Sequence, residues 1–508
     1  MTKKRYAVVG TGGRSDMYIC ALAGEDYKDY AELVAFCDIN QGRMDYYNER
    51  IGKKFNHPPV PTYLSQDFDR MIAECKPDTV IVTTMDRTHH KYGCRAMELG
   101  CDVNQGRMDY YNERIGKLYK HPAVPTYLSQ DFDRMIAECK PDTVIVTSMD
   151  RTHHKYGCRA MELGCDVISE KPMTVDVEKC QQIIDTQKKT GKHYTVTFNY
   201  RYSPRNTKIK ELLKSGICGQ ITSVNFEWLL DTSHGADYFR RWHRCKRNSG
   251  GLMVHKATHH FDLVNWWLDS VPETVYAMGD LKFYGRENAE KRGVTEFYQR
   301  AKGSEIAKKD PFAFRMDKDF SEFLQRLYFD SEKYDGYQRD QSVFGDGIDI
   351  EDNVSVMVRY KNKVVMNYTL CAHCPYEGYR ICFNGTKGRL EFYVIESGVT
   401  PLGEDFTTFG NREDDKSEGQ DRKKMAPEIL FQPFWGKPVV YTYDNTIKSG
   451  HGGGDVRLMN NLFIGVKNDP LGHAADFTDG AMSILTGIGA NISMRTGEPV
   501  KVQELIHF

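Results

Sequence analysis

The chain has 508 residues, is 40% hydrophobic and 27% charged, and carries a formal net charge of −1. At roughly 100–200 residues per domain this length predicts two to four domains, each large enough to bury a core without staples. The balance of 69 basic against 70 acidic residues argues against a nucleic-acid or anionic-membrane binder. No apolar run approaches the ~18 residues of a membrane helix. The start, MTKKRYAVVGTGG, is broken by glycine too early for a signal peptide. Fourteen scattered cysteines without an export signal read as reduced thiols of a cytoplasmic protein.

The first element is a strand, Tyr6–Val9, followed by Gly10-Thr11-Gly12-Gly13-Arg14-Ser15 and a helical spacing over Met17–Leu22. Strand, glycine turn and helix form the context in which backbone N–H groups cradle a pyrophosphate. Gly10 makes the turn, Gly12 lets the backbone approach, and Gly13 and Arg14 complete the loop. Ser15 stands where the usual fingerprint has its third glycine. The second strand, Leu33–Cys37, ends in Asp38, whose carboxylate suits adenosine ribose hydroxyls and repels a 2′-phosphate. That favours NAD over NADP. Arg43 reads as a solvated helix residue.

A near-identical repeat follows. Asn40–Val103 recurs as Asn104–Val167 at an offset of 64, with five differences: Lys54/Leu118, Phe55/Tyr119, Asn56/Lys120, Pro59/Ala123 and Thr84/Ser148. Solenoid repeats are shorter and diverge around a pattern, so this block reads as a tandem duplication or an assembly artefact. Each copy predicts helix (from Arg43), short strand (Val60–Tyr63), helix (Gln66–Cys75), strand (Thr79–Thr83) and helix (His89–Leu99). Connectivity favours the second copy for the strand Thr143–Thr147 and the loop after it, any hybrid of the copies being equivalent. The surplus block is expected to be extruded, with sheet extension by paired copies as the alternative.

Strands alternating with helices to about Lys171 predict a doubly wound parallel sheet. A buried-type strand then ends in Ser169-Glu170-Lys171-Pro172. A lysine at a strand end is ordinarily a solvated charge. Here it falls at the carboxyl end of a parallel strand, where open sheets bind ligands.

With VVGTGGR, TSMDRTHH, SEKP, FNYRYSP, GGLMVHKATHHFD and the ending DGAMSILTGIGANISMRTGEPVKV, the chain resembles the Gfo/Idh/MocA oxidoreductases over nearly its whole length, the surplus block apart. The resemblance implies an N-terminal Rossmann domain, a C-terminal α+β domain with a large open, mostly antiparallel sheet, and hydride transfer between a sugar or polyol and a nicotinamide cofactor. It places Lys171 as the active-site lysine, Glu170 as its cofactor-side neighbour and His259 as the catalytic histidine. Thr147, Ser148, Asp150 and His153 match the loop near the cofactor, with Thr83, Thr84, Asp86 and His89 of the first copy competing. Asn199 and Arg201 match the strand beside the nicotinamide. Many members carry aspartate where this chain has His255, which supplies no negative charge and is read as a proton relay. The residue types fit the chemistry, since imidazole accepts an alcohol proton near neutrality and an ammonium stabilises the developing alkoxide.

His255 and His259 also read as a weak metal pair if i, i+4 on one helix, with His451 and Asp455 of SGHGGGD completing it; no metal is the expectation. His260 is structural. Cys371-Ala372-His373-Cys374 has zinc-like spacing but no second pair. Asp231–Arg244 (DTSHGADYFRRWHR) supplies His234, Asp237, Tyr238, Arg241, Trp242 and His243 for a polyhydroxylated ligand, the alternative being a surface loop anchored by Trp242; His451 joins the substrate set. Gly285–Asp352 reads as an insertion over the site or at an assembly contact, and Arg412–Lys424 as a solvated loop.

The expected organisation is residues 1–171 for NAD binding and 172–508 for catalysis. The expected function is an NAD-dependent dehydrogenase of a sugar or glycoside secondary hydroxyl, C3 being the candidate carbon. Its partners are a small-molecule substrate and, as in relatives, a homo-oligomer. The rivals are a glycosidase working through transient oxidation and elimination, and a catalytically silent sugar or nucleotide sensor.

Overall fold

The computed structural model describes residues 3–9, 11, 15–38, 40–64, 67–75, 79–82, 132–139, 141–146, 148–314, 325–330, 332, 336–398, 428–444, 450–463, 465 and 468–508. Gly10, Gly12, Gly13, Arg14 and Thr147 lie outside them, as do Thr83, Thr84, Asp86 and His89 of the first copy and the loop Arg412–Lys424.

The first sheet is built from β1 (Lys4–Val9), β2 (Ala31–Asp38), β3 (Thr62–Leu64), β4 (Thr79–Val82), β5 (Thr143–Val146), β6 (Asp166–Ser169) and β7 (Tyr194–Val196). Its strands are parallel and run in the order β7-β6-(β4, β5)-β1-β2-β3. Near-continuous burial along β2 and β5 is what a sheet covered by helices on both faces requires. The chain reverses direction across the sheet beside β1, which creates a crevice outside the carboxyl ends of the strands.

Both copies of Thr-Val-Ile-Val address the same place in this sheet. β4 pairs with β1 through Tyr6↔Thr79, Ala7↔Val80 and Val8↔Ile81, and touches β6 at Ile81↔Ile168. β5 pairs with β6 from Thr143↔Asp166 to Val146↔Ser169 and touches β1 at Val9↔Val146. The first copy supplies the Gln41–Phe55 helix and β3, and the second supplies the His153–Glu162 helix that leads into β6. Residues 83–131, on which the expected extrusion falls, lie outside the described residues.

The second sheet is assembled from β8 (Ile221–Asp231), β9 (Pro272–Asp280), β10 (Asn353–Tyr360), β11 (Val365–Cys374), β12 (Glu377–Gly385), β13 (Gly388–Ser397), β14 (Ile429–Pro433) and β15 (Val439–Tyr441). Two short strands follow: β16 (Ala475–Asp476) pairs antiparallel with β7 in the first sheet, and β17 (Val500–Lys501) joins β9. The second sheet runs β15-β14-β13-β12-β8-β11-β10-β9-β17 and is antiparallel except for β8 against β11. This is the predicted pairing of a parallel Rossmann sheet with a large, mostly antiparallel one.

Alternation sets the inner face of the second sheet. Val224, Phe226, Trp228 and Leu230 on β8, and Val354, Val356 and Val358 on β10, are buried, while Asn225, Glu227, Ser355 and Met357 between them are exposed. The Thr258–Leu268 and Phe477–Thr496 helices cover that face. The second of these starts in a capping box between Asp476 and Asp479. Gly487 lets it approach the Gly251–His255 helix, since a Cβ there would overlap the Met253 carbonyl oxygen.

Candidate active site

Four strand ends converge on the carboxyl edge of the first sheet: Asp38 closes β2, Ser148–Asp150 follow β5, Glu170-Lys171 follow β6, and Thr197–Asn199 follow β7. Asp38 is fully buried. It accepts hydrogen bonds from the Thr11 amide and hydroxyl and, at 2.7 Å, from the Asn40 amide. It therefore ties Thr11 to the start of the chain that follows β2. Arg43 is not solvated, contrary to expectation. Its guanidinium is buried, 3.8 Å from Asp38 and 4.9 Å above the Tyr328 ring. The distant Tyr328, 285 residues on by number, is what a helix-face reading lacks.

Glu170 locks the loop that presents the lysine. One carboxylate oxygen accepts from the Tyr18 hydroxyl at 2.9 Å and the other from the Lys171 amide at 3.0 Å. His153 pins the same loop to the β5 loop, its two ring nitrogens lying 2.8 Å from the Pro172 and 2.7 Å from the Ser148 carbonyl oxygens. Burial lowers the pKa of this imidazole, while the two carbonyls act in the opposite direction.

The Lys171 ammonium donates to the His255 carbonyl at 3.1 Å. The His255 ring meets a carboxylate from another element, with Nδ1 bonded to Asp150 Oδ2. Burial raises Asp150 and lowers His255, so the pair holds one proton between its members and carries no net charge. Asp150 of the β5 loop thus meets the His255 side chain from another element of the fold. The rings of His243 and Trp242 complete the wall, His243 lying 4.1 Å from His255 and stacked 3.8 Å on the buried Trp242.

The His259 ring lies in a separate aromatic group, 4.9 Å from Tyr200, 6.2 Å from Phe198 and 5.7 Å from His451. His451 adopts φ 56°, a left-handed conformation that non-glycine residues rarely hold without a reason. Asp455 faces its Nδ1 at 3.0 Å and accepts from Nδ2 of the Asn199 side chain. Asp455 thus joins the start of the Gly454–Phe463 helix to the end of β7. Arg201 is committed to protein partners: Asp262 at 2.8 Å through Nε, Asp479 at 3.1 Å and the Gly472 carbonyl.

Asp231–Arg244 is not a surface loop. It forms a buried helix, Thr232–Arg240, because Asp231 caps it by accepting from the Ser233 and His234 amides. His234 sits between Glu377, 2.9 Å from Nδ1, and the Tyr238 hydroxyl, 2.9 Å from Nε2. Arg241 pairs with Asp237 at 2.6 Å. Burial alone would raise the Asp237 carboxyl, but Arg339, Arg241 and Arg240 outweigh it and hold the group at about 2. The stretch 285–352 lies between the neighbouring strands β9 and β10, and its Phe314, Tyr328 and Tyr337 form a small apolar cluster with Met149 and Trp242. It therefore packs on the loop bearing Asp150.

One helix ends at His255 and the next begins at Thr258, so the imidazoles of His255 and His259 share no continuous helix face. Among the described residues no three His, Cys, Asp or Glu side chains converge for a metal. His260 is buried, stacked 3.9 Å on Trp228 and 2.6 Å from the Tyr368 hydroxyl. Sequence reading missed Glu377 and Asp262, and it named Asp455 only as a metal candidate beside His451, not as the partner of Asn199. Only Asp262 left a signal, a charge inside the apolar helical run HHFDLVNWWL.

At the same strand ends Ser148 Oγ, Thr197 Oγ1 and Asn199 Oδ1 are buried without a hydrogen-bond partner among the described residues. Such orphans call for polar ligand atoms. The Asp16–Ala23 helix also starts without a side-chain cap hydrogen bond among the described residues. These features fit a dinucleotide.

A buried carboxylate after β2, a lysine after β6 and unsatisfied polar groups in a switch-point crevice define a nucleotide-dependent oxidoreductase. The comparisons agree. The oxidoreductase family's NAD-binding Rossmann fold matches residues 4–107 and again 105–198, and its C-terminal alpha/beta domain matches 210–502. The chain belongs to the Gfo/Idh/MocA oxidoreductase family. It is 36% identical over 406 residues to YteT of Bacillus subtilis (strain 168), an oxidoreductase by name, covering 75% of this chain and 86% of that one. It is 28% identical over 140 residues to the D-glucoside 3-dehydrogenase of Escherichia coli (strain K12), covering 27% of this chain and 38% of that one. The fold is shared with the WlbA dehydrogenase of Bordetella pertussis, solved with NADH and UDP-GlcNAcA. That likeness has a TM-score of 0.54 at 15% identity and covers 98% and 99% of the two chains. The protein is thus an oxidoreductase with a nicotinamide cofactor and a small-molecule substrate. No helix among the described residues is long and apolar enough to cross a membrane.

Proposed function

We propose that the protein is an NAD-dependent dehydrogenase that oxidises a secondary hydroxyl of a sugar or glycoside, with C3 as the candidate carbon. The observation that carries this reading is Lys171 at the end of β6, its ammonium on the His255 carbonyl beside the Asp150–His255 pair. Residues 1–171 serve the cofactor and 172–508 the substrate, although the second part also lends β7 and β16 to the first sheet. Asp38 supports NAD over NADP, since its negative charge opposes a 2′-phosphate and Arg43 beside it is already paired. The glycine turn with Arg14, the orphaned Ser148 and Asn199, Asp150 and Glu170 are the remaining residues assigned to the cofactor side.

When bound, the nicotinamide supplies the hydride acceptor. The protein's part is the proton. The Lys171 ammonium stabilises the alkoxide as it forms, and His259 takes the hydroxyl proton. Asp150 and His255 hold the lysine's surroundings neutral overall, so its positive charge is not cancelled. Asn199 and Asp455 orient His451 toward the ring group of Tyr200 and His259. Tyr238, Arg241 and His234 supply donors and acceptors for sugar hydroxyls, with Trp242 behind them. The glucoside dehydrogenase among the relatives supports this substrate class.

The test is a panel of sugars and glycosides followed both for NADH absorbance and for aglycone release. Net NADH formation on one class supports the proposal. Glycoside cleavage without added NAD transfers it to the redox-assisted glycosidase, and silence across the panel with NAD bound transfers it to a sensor.

A further inference from the structure

β11 ends in Cys371-Ala372-His373-Cys374. In a regular strand residues three apart point to opposite faces. β11 is irregular here: Cys371 stands opposite Leu229 on β8 and Cys374 opposite Asp231, three steps against two. The extra residue of such a bulge turns Cys374 to the side on which Cys371 lies. The alternation up to that point agrees, with Met366, Tyr368, Leu370 and Ala372 buried and both cysteines partly exposed as free thiols. Cys371 Sγ lies 3.6 Å from Nδ1 and 3.7 Å from Nε2 of His373. The His373 ring is fixed by stacking on Phe283 at 4.7 Å.

We propose that Cys371 and Cys374 form a redox-active dithiol that a low-molecular-weight disulfide converts to an intramolecular disulfide, with Cys371 as the attacking sulfur. The ionisation pattern supports this order. A hydrogen bond from Cys374 and contacts with His373 hold the Cys371 thiol at about 4, whereas the same contact and burial push Cys374 up. Asp352, Arg292 and Glu227 are the other charged groups facing this cluster. Cys371, the sulfur 3.6 Å from His373, is therefore the better nucleophile and Cys374 the reserve thiol.

In the first step the Cys371 thiolate attacks RSSR, forming a Cys371–S–SR bond and releasing RS⁻. Cys374 then loses its proton to solvent and attacks Cys371 Sγ, expelling the second RS⁻. Two protein thiols are oxidised by two electrons, and one RSSR is reduced to two RSH once protons are restored. The site lies at a corner that carries other structure. The Ala372 carbonyl accepts from the Tyr284 hydroxyl at 2.8 Å and abuts Gly235, and Glu377 at the start of β12 holds His234.

The full-length protein is incubated with oxidised glutathione, quenched with iodoacetamide and digested with trypsin. The peptide 364–380 contains both sulfurs and no other cysteine. The expected product is that peptide without alkyl groups and short of two hydrogens, restored by dithiothreitol and formed at least ~10-fold faster than any adduct on Cys20, Cys158 or Cys245. C374S should accumulate a glutathione adduct on Cys371, and C371S should form neither product. Doubly alkylated wild-type peptide after the other thiols have reacted, or an adduct on Cys374 of C371S as fast as on Cys371 of C374S, overturns the proposal.

Discussion

Asp150, from the second copy of the repeat, bonds through Oδ2 to Nδ1 of His255, which lies 105 residues further along the chain. The carboxylate therefore reaches the lysine's neighbourhood from the Rossmann sheet. Asp150→Asn keeps the shape and removes the ability to share a proton with His255. Turnover should fall about 100-fold, with the fall concentrated in kcat rather than KM. Asp86→Asn, the same change in the first copy, should leave turnover within about twofold if the second copy holds the site. Steady-state kinetics on the two variants reads the difference.

Buried histidines give the stability an acid limb. Burial lowers His154 from 6.5 to about 4. The unfolded chain takes up this proton as pH falls below about 6.5, while the folded chain stays neutral until about 4. The unfolded state binds more protons in that window, so stability is lost on acidification. His154→Gln should flatten this limb, by at most about 3 kcal/mol between pH 6.5 and 4, in denaturant titrations at a series of pH values.

The helix carrying His234 and Tyr238 depends on one close approach. A Cβ on Gly235 would overlap the Ala372 carbonyl oxygen, and both sides of that contact are backbone. Gly235→Ala should therefore cost about 1–3 kcal/mol, read as a lowered denaturation midpoint. Gly164→Ala meets open space, so any loss there comes only from placing a side chain at a φ of 93°.

Arg201 and Asp262 form a buried ion pair, 2% and 1% exposed. Asp262→Ala leaves the guanidinium with Asp479 and the Gly472 carbonyl. Removing one partner of such a pair typically costs about 3–5 kcal/mol, and equilibrium unfolding measures it.

The fold was legible because its signals are local. The strand of Tyr6–Val9, the Asp38 at the end of β2 and the Glu-Lys-Pro after β6 each declare themselves within a few residues. The site was legible only where a side chain's role is fixed by its own strand end, as for Lys171. Asp150 was seen as a residue of the cofactor loop, and its partner His255 as one lacking a carboxylate. Nothing within either segment shows that the two meet. Glu377 on His234 and Asp455 on Asn199 lie 143 and 256 residues from their partners, and no spacing rule spans such distances. Arg43 was misread because a helix face says nothing of what Tyr328, 285 residues later, will lay across it. Asp231–Arg244 was read for its polar and aromatic side chains, with a surface loop as the alternative, and the cap at Asp231 that makes it a helix went unread.

The most direct test of the proposed chemistry is Lys171→Ala, assayed for turnover on the substrate identified by the panel and for NAD binding by titration. The account predicts a loss of kcat of about 1,000-fold or more with the NAD Kd changed by less than about fivefold. Turnover equal to that of the unaltered protein, with the cofactor still bound, would contradict it.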